Sequence, residues 1–260
     1  MNRKKVIVTG AYGAIGTAIS EGIARKGYAL TLVGRDGQKL KRLSETLIRK
    51  VESAEVGYYA LDLSRKVEVE DFANHWQGPL DILINNAAAT PVTRMETPEG
   101  IELQFATNVL GYMWMMEFFH PFMKGREDAR IVNVASYWAG DLDLEDLEFH
   151  KRKYNNDMAY RQSKQANRML TGVWGEKLKD QNIAVLAAHP GDVNSKLSNN
   201  LGYGGWESPA QGAATPLFCA LDESLRGVTS KYVEKKRITP CHFFNDKAAS
   251  EKLFEICCRY

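Results

Sequence analysis

The stretch "AYRQSK" carries Tyr160 and Lys164 four residues apart. On a helix this spacing puts both side chains on one face. An ammonium beside a phenol favours the phenolate, so a tyrosine with an ordinary pKa of about 10 becomes an acid or base usable nearer neutrality. Ser136, in "NVASYW", offers a hydroxyl that can bind a carbonyl oxygen. Near the other end, "VIVTGAYGAIG" sets glycines at Gly10, Gly13 and Gly16. A short β-branched run, a glycine turn and a helix start make an anion site. Unpaired N–H groups and the helix dipole point at one place there, and glycine lets a pyrophosphate come close. The chemistry on offer is proton transfer to an oxygen beside a bound dinucleotide.

These residues need a scaffold that brings them together. Candidate strands are Lys5–Thr9, Ala29–Val33, Val56–Ala60, Ile82–Ile84, Ile131–Ala135, Ala184–Ala188 and a last one near Lys231–Val233. Helical patterns fall between them at Ala14–Arg25, Gln38–Glu52, Val67–Trp76, Glu99–Met123 and Met158–Lys179. Strict alternation implies parallel crossovers. The expected fold is α/β, one doubly wound (Rossmann) parallel sheet of about seven strands with helices on both faces. Ligands in such sheets bind beyond the carboxyl ends of the strands. Four of those ends point to one crevice: the glycine turn, Asn85-Asn86-Ala87-Ala88, Ala135-Ser136-Tyr137 and His189-Pro190-Gly191. The stretch Lys196–Pro209 follows a strand, is rich in Gly, Asn and Ser, and holds Tyr203 and Trp206. It reads as a loop closing over substrate, with both aromatics in the pocket.

Bulk composition excludes several function classes. The chain has 260 residues, 44% hydrophobic and 25% charged, with a net charge of +2. That balance gives no general nucleic-acid footprint. The basic run Lys231–Arg237 reads as a solvated strand end. No apolar segment is long enough to span a bilayer. The first strand starts too early to leave room for a signal peptide. Cys219, Cys241, Cys257 and Cys258 lack zinc spacing and read as reduced thiols in a cytoplasmic setting. No metal site is expected. Met113, Trp114, Met115, Met116, Phe118 and Phe119 form a helix apolar all round, which reads as core; a homo-oligomer face is the alternative.

In combination these motifs resemble the short-chain dehydrogenases/reductases, over nearly the whole chain. "TGAYGAIG" is similar to the family's cofactor turn, "NNAA" to its motif after strand four, and "NVAS" with "YRQSK" to its catalytic elements. "HPGDVNS" is similar to the segment over the nicotinamide. The long interval from Ser136 to Tyr160, "SPAQGA" and "SKYVEKK" resemble the retinol-dehydrogenase-like and WW-domain-oxidoreductase-like branch. Ala14 stands where classical members have the second glycine, Tyr12 where a small polar residue is common, and Ser195 where Thr is usual.

The resemblance implies a catalytic tetrad of Asn108, Ser136, Tyr160 and Lys164. It implies cofactor contacts from Gly10, Tyr12, Gly13, Ala14, Ile15, Gly16, Arg35, Asp62, Leu63, Asn86, Ala87, Tyr160, Lys164, Pro190, Gly191, Val193 and Ser195. It gives Asn108 a water-holding role and Asp62 an adenine contact. Read without it, Asn108 caps or kinks a helix, Asp62 caps one, and His189 is structural. The cofactor is expected to be NADP. The family's NAD-type carboxylate would occupy the slot of Gly34, and Arg35 follows with a guanidinium suited to a phosphate. Asp36 lies where a ribose carboxylate is also expected, but it sits one step further and can cap the next helix. One domain over 1–260, with a C-terminal segment 230–260, would then move hydride between NADP(H) and a carbonyl or alcohol. A catalytically silent dinucleotide-binding regulator or scaffold is the alternative.

Overall fold

The computed structural model describes residues 3–260. Eight strands form one sheet in the order β3-β2-β1-β4-β5-β6-β7-β8. They are β1 Lys5–Thr9, β2 Ala29–Gly34, β3 Glu55–Ala60, β4 Ile82–Asn85, β5 Ala129–Val134, β6 Ile183–His189, β7 Lys231–Glu234 and β8 Arg237–Thr239. All pairings are parallel except β7 with β8, which is antiparallel. The chain leaves β1 toward β2 and β3, then returns to lay β4 on the other side of β1. That reversal opens a crevice at the carboxyl ends of β1 and β4.

The central strands are apolar on both faces because helices cover both. Val6, Val8, Leu30, Leu32, Ile82, Ile84, Val132 and Leu186 share one core with Ile19 and Ile23 of α1 (Ala14–Arg25) and Leu40 and Leu47 of α2 (Gly37–Lys50). Cys219 of α8 (Pro209–Leu221) joins that face. Ile7, Leu83, Ile131 and Val185, one step out of phase, share the other core. It takes Phe72 of α3 (Lys66–His75), Trp114 and Phe119 of α5 (Gly111–Phe119), Leu170 and Trp174 of α6 (Asn156–Leu178) and Leu253 of α9 (Lys247–Cys257). Phe119 packs against Phe72, Trp76 and Phe122. Burying such a side chain contributes about 1.5–3 kcal/mol. The apolar run from Met113 is therefore core within this chain.

Three expectations change. The eighth strand, β8, turns back along β7 through Lys235 and Lys236. The helix expected over Glu99–Met123 is broken. It starts with α4 (Leu103–Phe105), because the Glu102 carboxylate caps the N–H groups of Gln104 and Phe105. It then widens into a π turn over Ala106–Leu110 before α5. Lys196–Pro209 is not all loop either: α7 (Lys196–Asn200) opens it.

Candidate active site

At the end of β1 the chain turns through Gly10 with φ +62. A Cβ there would lie 2.7 Å from Ala87 Cα, and one on Gly16 would lie 2.2 Å from the Gly10 carbonyl oxygen. Only glycine fits at either place. Gly13 caps α1 with no side-chain hydrogen bond, and the first turn holds no acidic residue. Its N–H groups are thus left for an anion. Thr9 stitches the two strand ends together: its Oγ1 accepts from Asn86 N at 2.9 Å and Ala87 N at 3.2 Å.

From this turn a cleft of about 860 Å³ runs along the carboxyl ends of the sheet. Gly10, Tyr12, Gly13, Ala14, Ile15, Gly16 and Arg35 line one end. Asn86, Ala87, Ser136, Tyr160 and Lys164 line the middle, and Pro190, Gly191, Val193, Ser195, Tyr203 and Trp206 the far side. Sequence reasoning missed Met95, Leu103 and Trp138, which with Tyr137, Leu197 and Leu201 give the cleft an apolar wall. They come from loops and helix ends whose spacing carries no period. A smaller cleft of about 320 Å³ lies elsewhere, lined by Asp128, Asn182 and Arg226 among others.

Asn155 caps α6 by accepting from Met158 N at 2.9 Å, and the helix delivers Tyr160, Lys164 and Arg168 on successive turns of one face. Lys164 is buried, and its Nζ donates to the Val134 carbonyl at 2.9 Å. Arg168 Nη2 donates to the Ser136 carbonyl at 2.5 Å, and its guanidinium stacks on the Tyr232 ring at 3.7 Å. Its spacing from Lys164 was the signal that could have found it. Ser136 Oγ accepts from Trp138 N at 3.0 Å.

Asn108 does not line the cleft. It sits in the π turn behind it, where its Oδ1 accepts from Ala89 N at 2.7 Å and its Nδ2 donates to Ala89 O at 3.0 Å and Ser163 Oγ at 3.3 Å. It thus ties the segment after β4 to the helix carrying Tyr160. Asp62 and Leu63 also lie outside the cleft walls. The Asp62 carboxylate accepts from Ser64 N at 3.0 Å and Ser64 Oγ at 2.7 Å, holding the turn into α3. Leu63 is buried. Asp36 caps α2, accepting from Gln38 N at 3.1 Å and Lys39 N at 3.0 Å. These N–H groups hold its carboxyl below the usual range, Lys39 N foremost.

Ionisation departs from the sequence reading. Burial pushes the Tyr160 phenol up to about 12, against the pull of the neighbouring Ser136 hydroxyl. The same burial pulls Lys164 down to about 7. Loss of water dominates at both groups, so burial favours the neutral phenol of Tyr160 over the phenolate.

His189 is buried, and its Nδ1 faces the Tyr137 N–H at 3.3 Å. Burial, then the charges of Arg168 and Lys235, pull it down to about 3. It folds neutral and must gain a proton on unfolding in acid. Its contribution to stability is complete above pH ~6.5 and is lost as pH falls toward about 3. Thermal unfolding of His189→Gln beside the parent should therefore show a stability gap that narrows between neutral pH and pH ~4. A constant gap would exclude this titration.

The segment after β6 is tied down at several points. Ser195 caps α7 through a reciprocal pair with Ser198. Asn156 Nδ2 donates to the Asn200 carbonyl at 3.0 Å, and Trp138 Nε1 to Asp157 Oδ1 at 2.9 Å. The Tyr203 hydroxyl donates to the same carboxylate. Trp206 stands at the mouth, 82% exposed.

The family model described as short chain dehydrogenase matches residues 4–204. The chain belongs to the short-chain dehydrogenase family. It is an oxidoreductase of the retinol-dehydrogenase-like branch. Human retinol dehydrogenase 13 is 30% identical over 272 residues, covering 96% of this chain and 82% of the relative. Mouse retinol dehydrogenase 12 is 30% identical over 270 residues, covering 98% and 85%. The crystal structure of an uncharacterized protein from Mycobacterium paratuberculosis superposes on this short-chain dehydrogenase with a TM-score of 0.83 at 27% identity, covering 98% of this chain and 92% of that one. Among the described residues no helix is long and apolar enough to cross a membrane.

Proposed function

We propose that this chain is an NADP(H)-dependent reductase or dehydrogenase, working as one catalytic unit over 1–260 on a small carbonyl or alcohol substrate. The observation that carries this is the convergence of Ser136, Tyr160 and Lys164 on the cleft that begins at the glycine turn. The cradle fits a dinucleotide: Gly10 and Gly16 leave no room for a Cβ, and the first turn of α1 has N–H groups and no competing carboxylate.

When bound, the nicotinamide supplies or accepts the hydride. The chain's own residues handle the oxygen and its proton. Ser136 Oγ binds the substrate oxygen where negative charge develops. Tyr160, held protonated, donates its proton to that oxygen in the reducing direction. Lys164, fixed on the Val134 carbonyl, presents its amine to the tyrosine and the ribose. Asn108 keeps the strand-four segment in place through its bonds to Ala89 and Ser163; the water-holding role comes from the family resemblance alone. Arg35 receives the 2′-phosphate, with Asp36 committed to capping α2. The segment 196–209 closes the far side. The cleft's apolar wall of Met95, Leu103, Leu197 and Leu201 favours an apolar substrate body.

The test is NADPH oxidation against a panel of aldehydes, ketones and quinones. Turnover that vanishes in Tyr160→Phe supports the reading. Tight NADPH binding with no turnover across the panel would favour a silent dinucleotide-binding protein instead.

A further inference from the structure

A carboxylate that selects a free ribose 2′-hydroxyl would have to project from position 34, at the carboxyl end of β2. The backbone there permits a side chain. Gly34 continues the ladder opposite Ala60, and it is not among the residues with positive φ. The obstacle is Tyr12. A Cβ on Gly34 would lie 2.7 Å from Tyr12 Cε1 and 3.2 Å from Tyr12 Cδ1. The ring is half-buried against the α1–α2 core, and Lys39 Nζ sits 5.5 Å from its centroid. Lys39 is itself held 3.4 Å from the Asp36 carboxylate. The Asp36 carboxylate beside this wall is thus engaged by Lys39 and by two backbone N–H groups.

We infer that Tyr12 is a specificity-determining residue acting through Gly34: its ring fills the volume that a ribose-binding carboxylate at position 34 would need. Arg35 is then the charged side chain left at this end of the cleft. The two positions form a steric interlock. A side chain at 34 must displace the Tyr12 ring unless position 12 is small, and the ring keeps its place when position 34 is glycine. This inference rests on the dinucleotide reading given above and adds the reason why that site is closed to the acidic alternative.

The test is a four-protein cycle of wild type, Gly34→Asp, Tyr12→Ser and the double variant. Thermal unfolding is measured without added nucleotide, and dissociation constants are measured for NAD and NADP. Gly34→Asp should lower the unfolding midpoint in the wild-type background and have little effect beside Tyr12→Ser. The double variant should bind NAD about tenfold more tightly than Gly34→Asp alone, the size of one charge-assisted contact. An equal unfolding penalty in both backgrounds overturns the interlock. So does a full gain in NAD affinity from Gly34→Asp alone. Should Gly34→Asp not fold, Gly34→Ala probes the same volume with the same expected pattern. Failure of the NADP reading looks different: wild type would prefer NAD, while the unfolding cycle, which needs no nucleotide, still decides the interlock.

Discussion

Tyr160→Phe should fold and bind the dinucleotide like the parent, yet transfer hydride about 10²–10⁴-fold more slowly, the range expected for losing a positioned acid. The substitution removes one oxygen from a ring that is only 9% exposed, so packing around it is preserved. The lost hydroxyl lies beside Ser136, on a ring whose centroid is 5.6 Å from Lys164 Nζ. Single-turnover hydride transfer with saturating NADPH is the measurement, because it separates chemistry from product release. Retention of the rate within about tenfold, or ~1.4 kcal/mol of barrier, would remove Tyr160 from the acid role. The phenol stays protonated across the neutral range. The reducing rate should therefore not fall through loss of that proton below pH ~10. A titration that does appear near neutrality is assigned to Lys164, which burial brings to about 7.

Arg35→Ala should weaken NADP(H) binding by roughly one to two decades while leaving NAD(H) nearly unchanged. The guanidinium is exposed, follows directly on β2, and makes no ion pair among the described residues. Removing it therefore costs little within the chain itself. Titration of both nucleotides against both proteins checks this. Wild type preferring NAD(H) would reverse the assignment and return Asp36 to the ribose. Its two hydrogen bonds to the start of α2 argue against that.

Much of this was legible in the chain. Both core faces of the sheet follow from strands such as Val6-Ile7-Val8 and Ile82-Leu83-Ile84, where every side chain is apolar because each face meets helices. Asp36 reads as a helix cap because a short acidic side chain sits two and three residues before the N–H groups it accepts. Other features depend on contacts that no local pattern encodes. The π turn at Ala106–Leu110 leaves no mark on the apolar period around it. β8 is three residues long, too short to alternate. The direction of the Tyr160 shift comes from walls contributed by several distant segments, and the spacing to Lys164 alone pointed the other way. Asp62 and Leu63 were placed by resemblance, and the turn they belong to holds them out of the cleft wall.

The antiparallel hairpin at the end of the sheet bears on what that border offers to another extended chain. A terminal parallel strand would offer a row of open N–H and carbonyl groups to any other extended chain. Here β7 is covered by its own continuation, and the new border is only three residues long, with Arg237 at its start. The reversal runs through Lys235 at φ +49 and Lys236 at φ +58, a conformation that asparagine and glycine adopt far more readily. Lysine at both places retains local strain and sets two positive charges at the sheet's margin. Replacement by Asn-Gly would relax the backbone but remove those charges. At this border of the sheet, though not at the opposite one formed by β3, the two lysines set charge where the easier turn would set none.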